Sequence, residues 1–328
     1  MQLNKLDYSR AEPFIAVPDA VLSEGVLYVS PARTLMWVDI YRAKVYRRRL
    51  DTGATDVFHA EGSGSVGAVF PILKCDNNGS SSNDGTEVEE FLFAAKEGIA
   101  HGRFGGSWEY IVKYSESGLD SERLKRLRSN DGNVRDDDLY IGLINDFDQE
   151  MTDEGVILKI NLVSKKIEVF WPRITIPNSI YWVGEYMFVT DSMNACIWRT
   201  KKGFQEREKF IDVSQYNTSS EENIPEPDGS CLNANGQLLF VSIWGHAKVQ
   251  VFSTRDGMLV KEILLPKETP RVSCCALVGS DLFVTTGSEH LGTGKTGQPS
   301  KGGCLYRLSN VILDSDDFST RGAIYRDN

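Results

Sequence analysis

Ser23-Glu24-Gly25-Val26-Leu27 opens the first regular stretch of the chain, and segments of the same kind return five times. They are Ser65-Val66-Gly67-Ala68-Val69, Ser129-Asn130-Asp131-Gly132, Pro177-Asn178-Ser179-Ile180-Tyr181, Pro227-Asp228-Gly229-Ser230-Cys231 and Arg271-Val272-Ser273-Cys274-Cys275. Each is a turn that runs into a short strand of small or apolar residues. Their second positions, 24, 66, 130, 178, 228 and 272, are separated by 42, 64, 48, 50 and 44 residues. A step of that size holds one four-stranded sheet, and six such sheets in a ring make a six-bladed β-propeller, with the small residues on the crowded innermost strands.

The sequence between these segments fits the same all-β reading. Thr34 to Ile40, Lys44 to Leu50 and Thr55 to Phe58 alternate apolar and polar residues and are separated by turn residues such as Asp51-Thr52-Gly53, the signature of a meander. The pattern returns at Tyr186 to Asp191, Leu238 to Ile243 and Asp281 to Thr286. Helical periodicity is confined to Ser121 to Leu127. The long step of 64 contains residues 75–90, polar and rich in Ser, Asn and Gly, which read as a disordered loop inserted into one propeller domain spanning 1–328.

With 41% hydrophobic and 25% charged residues, the composition is that of a globular protein with a sizeable core. Acidic residues outnumber basic ones 46 to 36, so the surface repels phosphate backbones and anionic lipid, and neither nucleic acid nor a membrane is an expected partner. The start of the chain carries no apolar run of signal-peptide length, and a cytoplasmic location is expected. The six cysteines form no C-x-x-C pair, and Cys274 and Cys275 are adjacent, so buried free thiols are expected rather than a disulfide framework.

Several motifs fail on context. Gly62-Ser63-Gly64-Ser65-Val66-Gly67 matches a dinucleotide fingerprint but runs into a strand instead of a helix. Gly292 to Thr296 lacks the first glycine of a phosphate loop. Asp76, Asn78, Ser80 and Glu87 follow calcium-loop spacing without the central glycine. His59, His101, His246 and His290 show no metal-type spacing.

The repeat itself carries the chemistry. Glu24, Val66, Asn130, Asn178, Asp228 and Val272 occupy its equivalent innermost positions, and four of them bear oxygen where an apolar side chain would pack at lower cost. In a propeller these positions converge on the axis at one face, where buried carboxylates require a compensating cation. Two carboxylates and an amide suit a hard divalent ion. Asparagine and aspartate also begin turns, which accounts for Asn130 and Asp228 without a metal; Glu24 has no such account.

These segments resemble the gluconolactonase/regucalcin (senescence marker protein)/luciferin-regenerating-enzyme family of six-bladed propellers. The matching stretches are Ser23-Glu24-Gly25 with Leu35 to Ile40, Arg128 to Gly132, Ile176 to Trp182 with Thr190-Asp191-Ser192, Pro227-Asp228-Gly229 and Ser273-Cys274-Cys275. The resemblance implies a divalent-metal-dependent lactonase, a hydrolase acting on the carboxylic ester of a small sugar (aldono) lactone. It implies Glu24, Asn178 and Asp228 as metal ligands and Arg128 and Asn130 as substrate contacts that order water. Calcium is the foremost candidate ion, with magnesium, manganese or zinc as alternatives. Asp228 is the expected general base, because a carboxylate at the edge of the metal site can orient and deprotonate water.

The chain departs from the family where the substrate would lie: Val26-Leu27-Tyr28 replaces a proline and tryptophan, Asn133 to Asp136 replaces Lys-Val-Asp-Pro, and Gly142-Leu143-Ile144 replaces Gly-Thr-Met. The acidic stretch Asn145 to Glu150 is expected to overlook the pocket, where it would bind sugar hydroxyls or be solvated. The rival readings are a non-catalytic metal-binding regulatory propeller and a protein-interaction propeller that docks through the 75–90 segment.

Overall fold

Within Leu35-Met36-Trp37-Val38 the alternation serves two different neighbours. Met36 and Val38 pack toward the second blade, Leu35 and Trp37 toward the sixth. The same division repeats around the ring, so the core is six apolar clusters, one between each pair of adjacent blades. A sheet buried on both faces needs apolar residues at odd and even positions alike, and every residue of Thr34–Asp39 is buried. The computed structural model describes all residues except 1–2, 18, 31, 75–86, 202–205, 218–223, 292–300, 313–324 and 328.

The first blade orders its strands Ser23–Val29, Thr34–Asp39, Lys44–Arg49 and Thr55–His59 from the axis outward. Blades two to five begin at Val66–Lys74, Leu127–Arg135, Pro177–Val183 and Glu226–Leu232 and have the same sequential antiparallel order. The sixth has three named strands, Val272–Val278, Asp281–Thr286 and Leu305–Leu308. Its outer edge is completed from the other end of the chain: Ile15 bridges Leu305, exchanging backbone hydrogen bonds of 3.1 and 3.0 Å. That exchange closes the ring. Asn4–Asp7 adds in parallel to the outer strand of blade five. The expected helix is present as Ser121–Lys125, capped by Asp120. No helix among the described residues is long and apolar enough to cross a membrane.

One loop type recurs on the face where the innermost strands begin. The turns ending at Ala43, Ala195 and Ala247 place each alanine at positive φ, 50°, 47° and 48°. Each alanine carbonyl thereby accepts the amide of the connector leading to the next blade, from Ala60, Val213 and Leu265. Left-handed backbone costs an alanine roughly 1–2 kcal/mol, and the recovered hydrogen bond offsets part of it. Most of the polar insert, residues 75–86, lies outside the described residues. Its end does not behave as a loose loop. Val88 is fully buried between blades one and two, and its carbonyl accepts from Arg47 Nη1 at 2.7 Å.

Every innermost strand carries a register shift near its start, between Glu24 and Leu27, Val66 and Val69, Ser129 and Gly132, Pro177 and Ile180, Pro227 and Ser230, and Val272 and Cys274. A bulge re-aims one side chain, here toward the axis. Crowding at the axis is severe. A Cβ on Gly67 would lie 2.3 Å from the Asn130 carbonyl oxygen, and one on Gly229 would lie 2.5 Å from Cys274 Cβ. Gly67→Ala is therefore expected to destabilise the fold by about 1–3 kcal/mol, the usual range for overpacking. Urea denaturation would show this as a lower midpoint at unchanged slope.

Candidate metal centre

The bulges explain how the axial side chains are held. A bulge strips a backbone N–H of its ladder partner, and the axial oxygen accepts it. Glu24 Oε2 accepts from the Gly25 amide, Asp131 Oδ1 from Gly132 at 2.8 Å, and Asn178 Oδ1 from Ser179 at 3.0 Å. Asn178 Nδ2 in turn donates to Asp228 Oδ1, linking blade four to blade five. Glu24 and Asn178 are buried, whereas Asp228 keeps part of its surface open. Burial, and then the Glu24 carboxylate, hold the Asp228 carboxyl well above the usual carboxylate range, against the opposing pull of the Asn178 hydrogen bond.

Arg128 supplies the positive charge. Its buried guanidinium donates through Nη1 to Ser129 O at 3.0 Å and to Asn130 Oδ1 at 3.3 Å. Burial lowers its pKa to about 10, while Asp146, Glu24 and Asp228 pull it back up, so it is protonated at neutral pH. Asn130 donates from Nδ2 to Pro177 O at 3.0 Å. Asn130 is thus engaged with Arg128 and with the start of the fourth blade, beyond the water-ordering contact expected of it.

The structure brings the five predicted residues, Glu24, Arg128, Asn130, Asn178 and Asp228, to one end of the axis. It shifts two other positions of the repeat by one residue. The bulge registers align Gly67 and Ser273, not Val66 and Val272, with Asn178. A one-residue slip reverses which face a strand residue serves, and both valines point into the inter-blade cores. Two further carboxylates escaped the sequence reading. Asp131 accepts from Ser179 Oγ at 3.0 Å, and Glu226, raised in pKa by burial, lies two residues before Asp228. Both raise the Asp228 carboxyl further. Their adjacency to Asn130 and Asp228 was the available signal.

Among the described residues no group of three or more His, Cys, Asp or Glu side chains is arranged to hold a metal. The expected set contains only two such residues, with an amide as the third donor. Its chemistry fits a hard divalent cation once the Asn178 amide, which here turns Nδ2 to Asp228, presents Oδ1 instead: the donors are then all oxygens, from three blades, where ionising Asp228 beside Glu24 is penalised until positive charge arrives. The five described cysteines, Cys196, Cys231, Cys274, Cys275 and Cys304, are buried, as expected of core thiols.

The acidic stretch does overlook this end of the axis, in an unexpected way. Asp146 forms an ion pair with Lys96, and its Oδ1 lies 3.9 Å from Arg128 Nε. Phe147 lays its ring over the Arg128 guanidinium at 4.1 Å and meets Tyr41 of blade one, the two ring centroids 4.9 Å apart. Tyr41 sits in the recurring turn that ends in a left-handed alanine. The likeness of Tyr41-Arg42-Ala43 to Met193-Asn194-Ala195 was the signal that could have placed it on this face.

Comparison with known proteins agrees with this architecture. The model of the family described as SMP-30/Gluconolactonase/LRE-like region matches residues 22–288. An uncharacterized protein of Saccharomyces cerevisiae, YBR053C, is 38% identical over 92% of this chain and 92% of its own length. A luciferin-regenerating enzyme superposes with a TM-score of 0.75 at 17% identity, covering 96% of this chain and 99% of its own. Regucalcin of Agrobacterium tumefaciens, described as a calcium-binding protein, superposes at 0.72 with 20% identity over 99% of both chains. At those identities the solved structures share the fold; the match of the family model over most of the chain shows more, and the protein belongs to the SMP-30/gluconolactonase/LRE-like family.

Proposed function

We propose that this protein is a divalent-metal-dependent lactonase. The observation that carries the reading is the meeting of Glu24, Asn178 and Asp228 with the buried cation Arg128 at one end of the axis. Membership of a family whose description includes gluconolactonase supports it. Glu24, Asn178 and Asp228 would hold the ion, calcium foremost by the description of the regucalcin neighbour. When bound, such an ion polarises an ester carbonyl and lowers the pKa of water at its open positions.

The side chains supply the remaining chemistry. Asp228 takes a proton from the water that adds to the lactone carbonyl, and returns it to the ring oxygen as the acyl C–O bond breaks. The product hydroxy acid then ionises, which releases one proton per turnover. Arg128 places a fixed positive charge beside the carbonyl oxygen as negative charge develops on it, in a site where little water screens it. Asn130 keeps that guanidinium in place.

The test is proton release over a panel of aldonolactones and simple esters, with calcium, magnesium, manganese or zinc supplied in turn. Metal-stimulated hydrolysis of a lactone is expected; a silent panel with metal demonstrably bound would favour the regulatory reading. Asn130→Ala is expected to cost up to about a hundredfold in kcat, as a misplaced catalytic contact can, with KM little changed.

A further inference from the structure

Phe147 and Tyr41 are among the largest exposed apolar residues of the protein, 42% and 50% accessible, and they meet above Arg128. They come from non-adjacent blades, one and three, through loops that meet at this end of the axis. Phe147 is anchored from its own side, because its amide donates to Asp146 Oδ1 at 2.8 Å and Asp146 is held by Lys96. Asp146, the carboxylate beside Phe147 in this wall, is therefore ion-paired with Lys96 and lies 3.9 Å from Arg128. What the wall offers an incoming ligand is π surface.

We propose that Tyr41 and Phe147 form a stacking wall that selects lactones bearing an aromatic ring over polyhydroxylated ones. The wall continues directly into the site, since the face of Phe147 covers the guanidinium aimed at the ester. An aryl ring on this wall gains offset or edge-on contact, which in aromatic pairs contributes roughly 0.5–1.5 kcal/mol beyond the area buried. A sugar hydroxyl laid against the two rings loses its hydration and finds no acceptor there but the Tyr41 hydroxyl. The inference rests on the lactonase reading and refines its substrate class, replacing the aldonolactone that the family resemblance implies.

Tyr41 is the residue to vary, because it meets Phe147, whereas Phe147 itself covers Arg128. The probes are dihydrocoumarin, D-glucono-1,5-lactone and the non-hydrolysable lactam 3,4-dihydroquinolin-2-one. Wild type is expected to show a higher kcat/KM for dihydrocoumarin than for the gluconolactone. Tyr41→Ala should reduce that ratio about tenfold, through KM, and Tyr41→Phe should retain it. The lactam, followed by saturation-transfer NMR, should bind wild type and Tyr41→Phe and bind Tyr41→Ala at least fivefold more weakly. Lactam binding that depends on Tyr41, without hydrolysis of any lactone, would refute the lactonase reading and leave the wall standing. Hydrolysis with an unchanged ratio in Tyr41→Ala, or no lactam binding to wild type, would overturn the wall.

Discussion

Asp228→Ala is expected to lower lactone turnover by roughly a thousandfold or more, because general-base and metal contributions are each large and this one change removes both. Asp228→Asn should be nearly as inactive, since an amide accepts no proton from water. The two variants differ in what they do to the fold. The asparagine keeps an oxygen for the Asn178 amide to reach, whereas the alanine leaves that buried amide only the long contact to Ser192 Oγ at 3.5 Å. In the metal-free protein Asp228→Asn should melt at a higher temperature than wild type at neutral pH. The sign follows from the raised Asp228 carboxyl, whose burial and Glu24 neighbour favour the protonated form. A group raised in the native state supports folding while it stays protonated, below its unfolded value, and that support is lost as pH rises through the native one. The advantage of Asp228→Asn should thus grow from acid toward neutral pH and vanish when saturating calcium is added. Thermal melts across pH, with and without metal, would check it. Near-normal turnover by Asp228→Asn with metal bound would refute the assignment of the base.

Exhaustive chelation is expected to eliminate lactone hydrolysis while the far-ultraviolet β spectrum survives. The expected ligands lie in blades one, four and five, so an ion there ties distant parts of the ring together. The ring does not depend on that tie. Each blade is buried on both faces against its neighbours, and Ile15 closes the sixth blade through backbone hydrogen bonds. Loss of the ion should cost only its binding linkage, about 2.7 kcal/mol at a hundredfold excess over Kd. A modest fall in Tm is the expected result, with the rate restored by a hard divalent ion. Full activity in protein shown metal-free by elemental analysis would refute the mechanism, and collapse of the β spectrum would make the ion structural.

The ring was legible in the chain because period-two alternation and repeat spacing are local properties. A strand such as Thr34–Asp39 must serve two neighbours, so its apolar residues declare a sheet buried on both faces. The axial oxygens of Glu24, Asn130, Asn178 and Asp228 were legible for a related reason: oxygen-bearing residues at crowded inner positions break the pattern around them. Register was not legible. The shift from Val66 to Gly67 and from Val272 to Ser273 is set by bulges, and a bulge is settled by pairing with the second strand of the blade and by space at the axis. Ring closure at Ile15 was equally hidden, because it depends on a free edge at the far end of the chain. The pocket wall was the least legible part. Nothing local relates Tyr41 to Phe147 or marks Asp146 as the partner of Lys96. Those contacts arise when the ring brings the loops of three blades to one face, and they make of an acidic stretch that read as either a hydroxyl-binding or a solvated loop an aromatic cover for Arg128.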